Sequence, residues 1–204
     1  MLLHALTALT VALAAPDTVL PAYAPRALPP ADTASYRIDV GHSELTFRIR
    51  HLMSKVNGTF GEWSGTITAD PADWSTGSVS VTIKAASIDT RHARRDEDLR
   101  SANFFDVTNH PEITFRSTGV EVEGTQITLR GDLTMRGVTK PVVLTGEFLG
   151  RQGAGGPRER IGFSASGTLN RTDFGIVWNR AVEGGGVLLG DEVELVIGVE
   201  AVRM

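Results

Sequence analysis

The chain contains no cysteine among its 204 residues. This absence excludes disulfide frameworks, thiolate metal sites, cysteine nucleophiles and the lipidated cysteine of a bacterial lipoprotein. Aromatic residues make up only 6% of the chain, and no apolar run is long enough to cross a bilayer as a helix. The stability of the folded chain must therefore come from side-chain packing.

Positive charge is not in excess either, since the formal net charge is −4 and the pI is about 5.7. A nucleic-acid partner requires a basic stripe that neutralises phosphates, so none is expected. Hydrophobic residues account for 41% of the chain and charged residues for 22%, which is ordinary for a globular protein. The length allows one domain with a sizeable core or two very small ones, and with this composition we favour one domain.

The N-terminal segment has the profile of a signal peptide. Residues 2–15 are almost wholly apolar, are too short to span a bilayer and end in small residues before Pro16. The following stretch carries five prolines among alanines, a composition that resists both helix and sheet. We therefore expect a signal peptide over 1–15, a linker over 16–34 and a folded domain over 35–204, in a periplasmic or secreted protein.

From Tyr36 onward, apolar and polar residues alternate with a period of two, which predicts half-buried strands. In the first clear run, Leu45, Phe47 and Ile49 fall on one face, and polar or charged residues fall on the other. The same alternation recurs over residues 79–83, 113–115, 127–135 and 193–199. Because one face of each run is polar, we expect each strand to have water on one side and a core on the other.

Turn-forming residues separate these runs at short intervals and predict hairpins. They are Asn57-Gly58, Asp70-Pro71, Glu123-Gly124, Arg136-Gly137 and the glycine-rich stretch 153–157. Residues 91–102 lack strand character and are expected to form a short helix with Thr90 as its N-cap. About eight amphipathic strands joined by hairpins close most naturally into an all-β barrel, which removes exposed edges, and a sandwich is the alternative.

A series of local motifs runs in order through this domain. The motifs are YRID (36–39), HSELTF (42–47), GTF (58–60), IDT (88–90), RRD (94–96), NFFDV (103–107), ITF (113–115), GDLTMRGVTKPV (131–142), RTDFG (171–175) and GDEV (190–193). The series resembles the YceI-like family of periplasmic polyisoprenoid-binding proteins. The resemblance implies an eight-stranded antiparallel lipocalin-like barrel with a short helix insertion, which encloses a tunnel for an isoprenoid or another long lipid tail.

The resemblance makes a binding or carrier protein the leading hypothesis, with a polyisoprenoid, quinone-like or fatty-acyl lipid held in the barrel interior. The alternative is a hydrolase or isomerase that acts on such a lipid in the same cavity, with His42 or His51 as base. An outer-membrane barrel also has short strands, but the outward faces here carry charged residues instead of an apolar, aromatic-girdled surface. Peripheral or transient membrane contact, and either a monomer or a homodimer, are compatible with the sequence.

Aromatic and thioether side chains make adaptable apolar walls, so they are the candidate ligand contacts. The apolar candidates are Phe47, Phe60, Phe104, Phe105, Phe115, Leu133, Met135, Phe163, Phe174 and Trp178. For each of them the alternative is ordinary core packing. His51 is the polar candidate, because it ends a predicted strand and can close the barrel end or hydrogen-bond a ligand head group.

No catalytic, metal or cofactor site is expected. The sequence shows no serine nucleophile elbow, no carboxylate pair with a reason for one raised pKa and no cofactor loop. The four histidines of the domain lack the close spacing of a helical metal motif. Within the predicted helix, Arg95, Asp96 and Asp98 are expected to form a salt-bridged anchor at the barrel entrance.

Overall fold

The computed structural model describes residues 33–183 and 185–204. The expected signal peptide and nearly all of the expected linker lie outside the described residues. Within these residues, eleven strands and one α-helix, α1 (Ala93–Arg100), build the domain. The strands are β1 (Ala34–Ile38), β2 (Glu44–His51), β3 (Ser54–Phe60), β4 (Trp63–Asp70), β5 (Asp73–Lys84), β6 (Ile88–Asp89), β7 (Glu112–Glu123), β8 (Gln126–Met135), β9 (Val138–Gln152), β10 (Arg160–Asn170) and β11 (Leu189–Arg203).

Eight antiparallel strands close into a ring, because the last strand, β11, pairs with the first, β1. The order around the ring is β1, β4, β5, β7, β8, β9, β10 and β11. The other three strands lengthen the ring at one end: β2 pairs with β11, β3 with β2 and β6 with β3. The predicted eight-stranded antiparallel barrel with a helix insertion is confirmed, and the alternative of a sandwich is wrong.

The two ends of the barrel are formed by different connections. We call the end that holds the β4–β5, β7–β8 and β9–β10 connections the base, and the end that holds the β2–β3 and β8–β9 turns the mouth. The Arg136 side chain of the β8–β9 turn donates hydrogen bonds to the carbonyls of Ala102 and Gly175, each at 2.8 Å. These bonds gather the segment after α1 and the segment after β10 at the mouth.

The alternation of apolar and polar residues decides which face of each strand points inward. Across the β2–β11 pair, Phe47 lies opposite Leu195 and Leu45 lies opposite Ile197, so apolar side chains meet on the inner face. Several outward residues of these strands are charged, and a glutamate of β11 forms an ion pair with Lys55 of the adjacent strand β3.

The predicted turn at Asn57-Gly58 is wrong, because both residues lie inside β3. Gly58 is opposite Phe47 of β2, and a Cβ atom on it would lie 2.3 Å from the Phe47 Cζ atom. The glycine therefore allows an aromatic ring to approach the backbone closely, instead of forming a turn. The actual turn is at residues 52–53, where Leu52 has a φ of 52°.

The predicted helix is present, but its predicted N-cap is wrong. The cap is His92, whose Nδ1 accepts a hydrogen bond from the Arg95 N–H at 3.3 Å. Thr90 lies two residues earlier and is buried against the helix.

No helix among residues 33–183 and 185–204 has the length and apolarity that a membrane crossing requires.

Candidate functional site

The barrel interior contains a cavity of about 520 Å³. Its volume lies within the range of about 300–1,000 Å³ that is typical of small-molecule sites. Inward-facing residues of all eight ring strands contribute to its wall, and most of them are aliphatic or aromatic. The cavity therefore has the composition of a site for an apolar molecule.

Many of these apolar wall residues are only half-buried, although they point away from the outer surface. Leu45, Ile49, Leu129, Leu195 and Ile197 all belong to this group. Their accessible surface faces the cavity, and the burial of such surface against an apolar molecule is favourable. A bound apolar molecule would therefore bury wall surface that the folded protein alone leaves accessible.

Ten of the eleven residues predicted as ligand contacts line this cavity. They are Phe47, His51, Phe60, Phe104, Phe105, Phe115, Leu133, Met135, Phe163 and Trp178. Phe174 lies elsewhere: it is in the single helical turn Arg171–Phe174, is 1% exposed and packs in the core with Ile176. A residue in such a turn does not follow the alternation of a strand, so its direction cannot be read from the sequence.

Sequence reasoning missed two tryptophans of the wall, Trp63 and Trp74. Trp63 begins β4 and Trp74 is the second residue of β5, so each stands beside a connection, where alternation is too short to assign a face. Their aromatic character was the signal that could have identified them.

Aromatic rings around Trp74 fill the base of the barrel. The Trp74 ring centroid lies 5.2 Å from that of Phe148, 5.6 Å from that of Phe163 and 6.0 Å from that of Tyr36. Tilted and edge-to-face contacts at these distances stabilise the cluster beyond its area burial. The cavity wall is therefore aromatic at this end.

A fully buried carboxylate, Glu159, ties the base together. It accepts hydrogen bonds from the Tyr36 hydroxyl at 2.7 Å, the Gly155 N–H at 2.6 Å and the Arg203 guanidinium at 3.3 Å. Burial alone would raise the pKa of Glu159, but these donors outweigh it and hold the pKa below its ordinary value. Burial, and then the bond to Glu159, raise the pKa of Tyr36 to about 12.

Polar side chains concentrate at the mouth. Thr90, Arg95, Asp98, Asn103 and His51 line the cavity there. Asp98 and Asn103 are exposed to solvent while they also line the cavity. The cavity therefore opens to water at the mouth, where hydrogen-bonding groups surround it.

Hydrogen bonds to Thr90 hold α1 over the mouth, in place of the expected salt-bridged anchor. The Arg95 guanidinium donates to the Thr90 hydroxyl at 2.7 Å and to its carbonyl at 2.8 Å. The buried Asp96 carboxylate accepts from the Thr90 hydroxyl and from its N–H at 2.9 Å. Burial raises the pKa of Asp96, but the Thr90 bonds outweigh it, and the pKa lies below its ordinary value.

The buried Arg171 orders the opposite side of the mouth. Its guanidinium donates to the carbonyls of Ile176 at 2.6 Å and Trp178 at 2.9 Å, and to the Asp191 carboxylate at 2.9 Å. Burial lowers the pKa of Arg171, and the Asp191 charge opposes this shift. These bonds place the Trp178 ring at the cavity, with its centroid 5.3 Å from that of Phe104.

The two histidines named as candidate bases are far from equivalent. His42 is exposed, and its Nδ1 lies 3.0 Å from the Asp39 carboxylate. His51 is half-buried and lines the cavity. Within the described part of the chain, no three His, Cys, Asp or Glu side chains are grouped so that they could hold a metal ion.

Comparisons with known proteins match nearly all of the described domain. The family described as YceI-like domain matches residues 36–201. Protein YceI of Shigella flexneri is 40% identical over 176 residues, which are 85% of this chain and 89% of that protein.

Two solved structures share the architecture. BcnA of Burkholderia cenocepacia matches with a TM-score of 0.69 and 21% identity, over 80% of this chain and 98% of its own. A polyisoprenoid binding domain from Saccharophagus degradans, implicated in plant cell wall breakdown, matches with a TM-score of 0.61 and 15% identity, over 84% of this chain and 99% of its own. At these identities the two matches establish the fold.

Proposed function

Since the chain belongs to the YceI-like family, we propose that it binds or carries one long apolar lipid inside the barrel and leaves that lipid chemically unchanged. A polyisoprenoid, a quinone-like molecule and a fatty-acyl chain are the candidate ligands. The observation that supports the proposal is the apolar cavity of about 520 Å³ with its half-buried wall. The polyisoprenoid binding named for the Saccharophagus degradans domain indicates the same ligand class.

The polarity of the two ends orients the lipid. The tail lies toward the base, because the Trp74 cluster provides an aromatic wall there. A polar head group lies at the mouth, within reach of His51, Arg95 and Asn103. This orientation buries methylenes and leaves the head group in contact with water, which avoids the cost of an unpaired buried polar group.

The direct experiment is mass spectrometry of organic extracts from the purified protein, followed by titration with isoprenoids of increasing length. Each added methylene contributes about 0.8 kcal/mol when buried, so Kd should fall about fourfold per methylene until the cavity is full. A protein that carries no lipid after purification and takes up none of the offered isoprenoids would contradict the proposal.

Recovery of the ligand separates a carrier from the alternative of a hydrolase or isomerase. A carrier returns the offered lipid unchanged after prolonged incubation. Since His51 lines the cavity, a product that forms with the parent protein and not with His51→Ala would favour the enzyme. Comparison with His42→Ala, which alters an exposed histidine away from the wall, controls for non-specific effects.

The proposed location is periplasmic or secreted. The apolar stretch of residues 2–15 and the proline-rich stretch that follows support export. N-terminal sequencing of the mature protein from a fractionated bacterial host tests this. Cleavage close to residue 15 is expected, and an intact Met1 in the cytoplasmic fraction would contradict it.

A further inference from the structure

We infer that one side of the mouth docks on a lipid bilayer that contains anionic phospholipid, and that cargo passes between this bilayer and the cavity. The inference rests on the proposed function and names the partner of the same site. Four exposed apolar side chains, which we call the docking rim, carry it. The docking rim consists of Leu52, Met53, Val177 and Val187.

The rim residues project into solvent from the tips of the barrel. Leu52 and Met53 form the β2–β3 turn, where Leu52 is 44% exposed and Met53 is fully exposed. Val177 is 68% exposed and Val187, just before β11, is 41% exposed. Exposed apolar residues gathered at a functional opening are typical of interaction sites.

The segments that carry the rim lie next to one another. The Leu52 N–H donates to the Leu188 carbonyl at 2.9 Å, and the Leu188 N–H donates to the Arg180 carbonyl at 2.9 Å. The Asn179 side chain also bonds the backbone of Leu189. The turn after β2, the start of β11 and the segment after Val177 therefore form one continuous edge.

This edge is apolar on its inner side as well. Trp178 and Leu188 line the cavity, and each is the chain neighbour of a rim residue. Farther from the turn, outward positions of β2 carry charge, as at Glu44 and Arg48. An apolar path therefore runs from solvent-facing tips to the cavity wall, so that a lipid tail can leave a bilayer without crossing water.

Leu52 of the docking rim has an unusual backbone conformation. Its φ of 52° lies in the left-handed region, which favours glycine or asparagine over a bulky residue. A leucine at this position places an apolar side chain in solvent at a conformational cost.

Charge selects a bilayer with anionic lipid as the occupant. Arg50 and Arg180 are exposed beside the rim, and within the described residues neither forms an ion pair with a carboxylate. The Arg50 guanidinium donates to the Leu52 carbonyl at 3.3 Å, so it lies at the rim itself. The exposed acids on the same side are Glu183, Asp191 and Glu192, of which Asp191 is paired with Arg171. Apolar side chains flanked by arginines match the interfacial region of an anionic membrane.

The test is flotation of the full chain with vesicles of phosphatidylcholine, with and without phosphatidylglycerol. The rim variant is Leu52→Asn, Met53→Ser and Val177→Ser, in which asparagine also suits the left-handed φ. The control variant is Val143→Ser, Leu149→Ser and Val196→Ser, which removes three exposed apolar side chains from the barrel wall. We expect the bound fraction to fall at least tenfold in the rim variant and to stay at the parental value in the control.

The two arginines provide a second measurement. Replacement of Arg50 and Arg180 by glutamine should weaken binding to phosphatidylglycerol vesicles about fivefold for each arginine, and leave binding to pure phosphatidylcholine unchanged. Equal flotation of the parent and the rim variant would overturn the inference. A parent that forms dimers in solution, with dimerisation lost in the rim variant and no flotation, would assign the rim to a second copy and also overturn it.

Uptake of a short-chain fluorescent isoprenoid dispersed in buffer separates this inference from the proposed function. The rim variant should load from buffer as the parent does, but should extract the probe from vesicles at least tenfold more slowly. Equal extraction rates would contradict the role of the rim in cargo transfer. Failure of the parent to load from buffer would instead contradict the proposed function, while flotation still decides docking.

Discussion

Individual buried polar residues hold the two ends of the barrel. Glu159 joins β1 to the β9–β10 connection at the base, whereas Asp96 and Arg171 organise the mouth. All three are buried and fully hydrogen-bonded, which is the condition under which a charge can be buried at tolerable cost. Within the described residues, no buried side-chain nitrogen or oxygen lacks a hydrogen-bond partner.

Glu159→Gln should weaken the acid dependence of stability. The folded-state pKa of Glu159 lies below its ordinary value of 4.5, so its stabilisation is complete above about pH 4.5 and is lost as pH falls through the folded pKa. The variant should lose about 2 kcal/mol at pH 7, because it replaces a charged acceptor, and much less at pH 3. Urea unfolding at both pH values, with the exposed Glu123→Gln as control, measures this. Parallel pH profiles for the parent and Glu159→Gln would contradict the role of Glu159.

At the scale of elements, α1 is positioned by a residue outside it. Thr90 lies before the helix and accepts from Arg95 while it donates to Asp96. At the other end of the helix, Arg100 donates to the carbonyls of Ala86 at 2.7 Å and Ile88 at 2.8 Å. The eight-residue helix is too short to be stable on its own. Its order must therefore come from these contacts and from packing.

Thr90→Val should loosen α1 without opening the barrel. Valine keeps the shape of threonine but removes the hydroxyl, which leaves Asp96 and Arg95 short of a partner and costs about 1–3 kcal/mol. Amide hydrogen exchange should accelerate in Ala93–Arg100 and stay unchanged in β8 and β9. Glu97→Gln, an exposed change in the same helix, should leave the exchange of α1 unchanged. An equal effect of the two substitutions would contradict the anchoring role of Thr90.

At the scale of the whole molecule, ring closure converts eight half-apolar strands into a container. Closure between β1 and β11 leaves the eight-strand ring without a free edge, and the aromatic base and the hydrogen-bonded mouth make its two ends different. Bound ligand should therefore stabilise the whole barrel, because ligand binds the folded state alone.

Ile197→Trp should abolish ligand binding while the barrel still folds. Ile197 faces the cavity, so an indole there occupies space that the lipid needs. Its neighbour Val196 faces outward, and Val196→Trp is the matched control. We expect at least tenfold weaker isoprenoid binding, and no thermal stabilisation by the ligand, for Ile197→Trp alone. Equal binding by the two variants would place the lipid outside the cavity.

The sequence by itself determined five of the eleven strands, β2, β5, β7, β8 and β11, and their inward faces. The alternation around Phe47 predicted the strand that the structure contains, and the alternation over 193–199 did the same for β11. The physical reason is that strand periodicity is local, because side chains two residues apart in a strand point to the same face wherever the strand lies in the fold.

Only the tertiary structure decided what depends on residues far apart in the chain. Gly58 lies in a strand, where the Phe47 ring of the neighbouring strand packs against its backbone. Trp74 lines the cavity, whereas Phe174 packs in the core behind the wall. Glu159 meets Tyr36 across 123 positions of sequence, only because the ring closes. A single sequence contains no local signal for such pairings, since burial, close approach and charge compensation arise when distant strands come together.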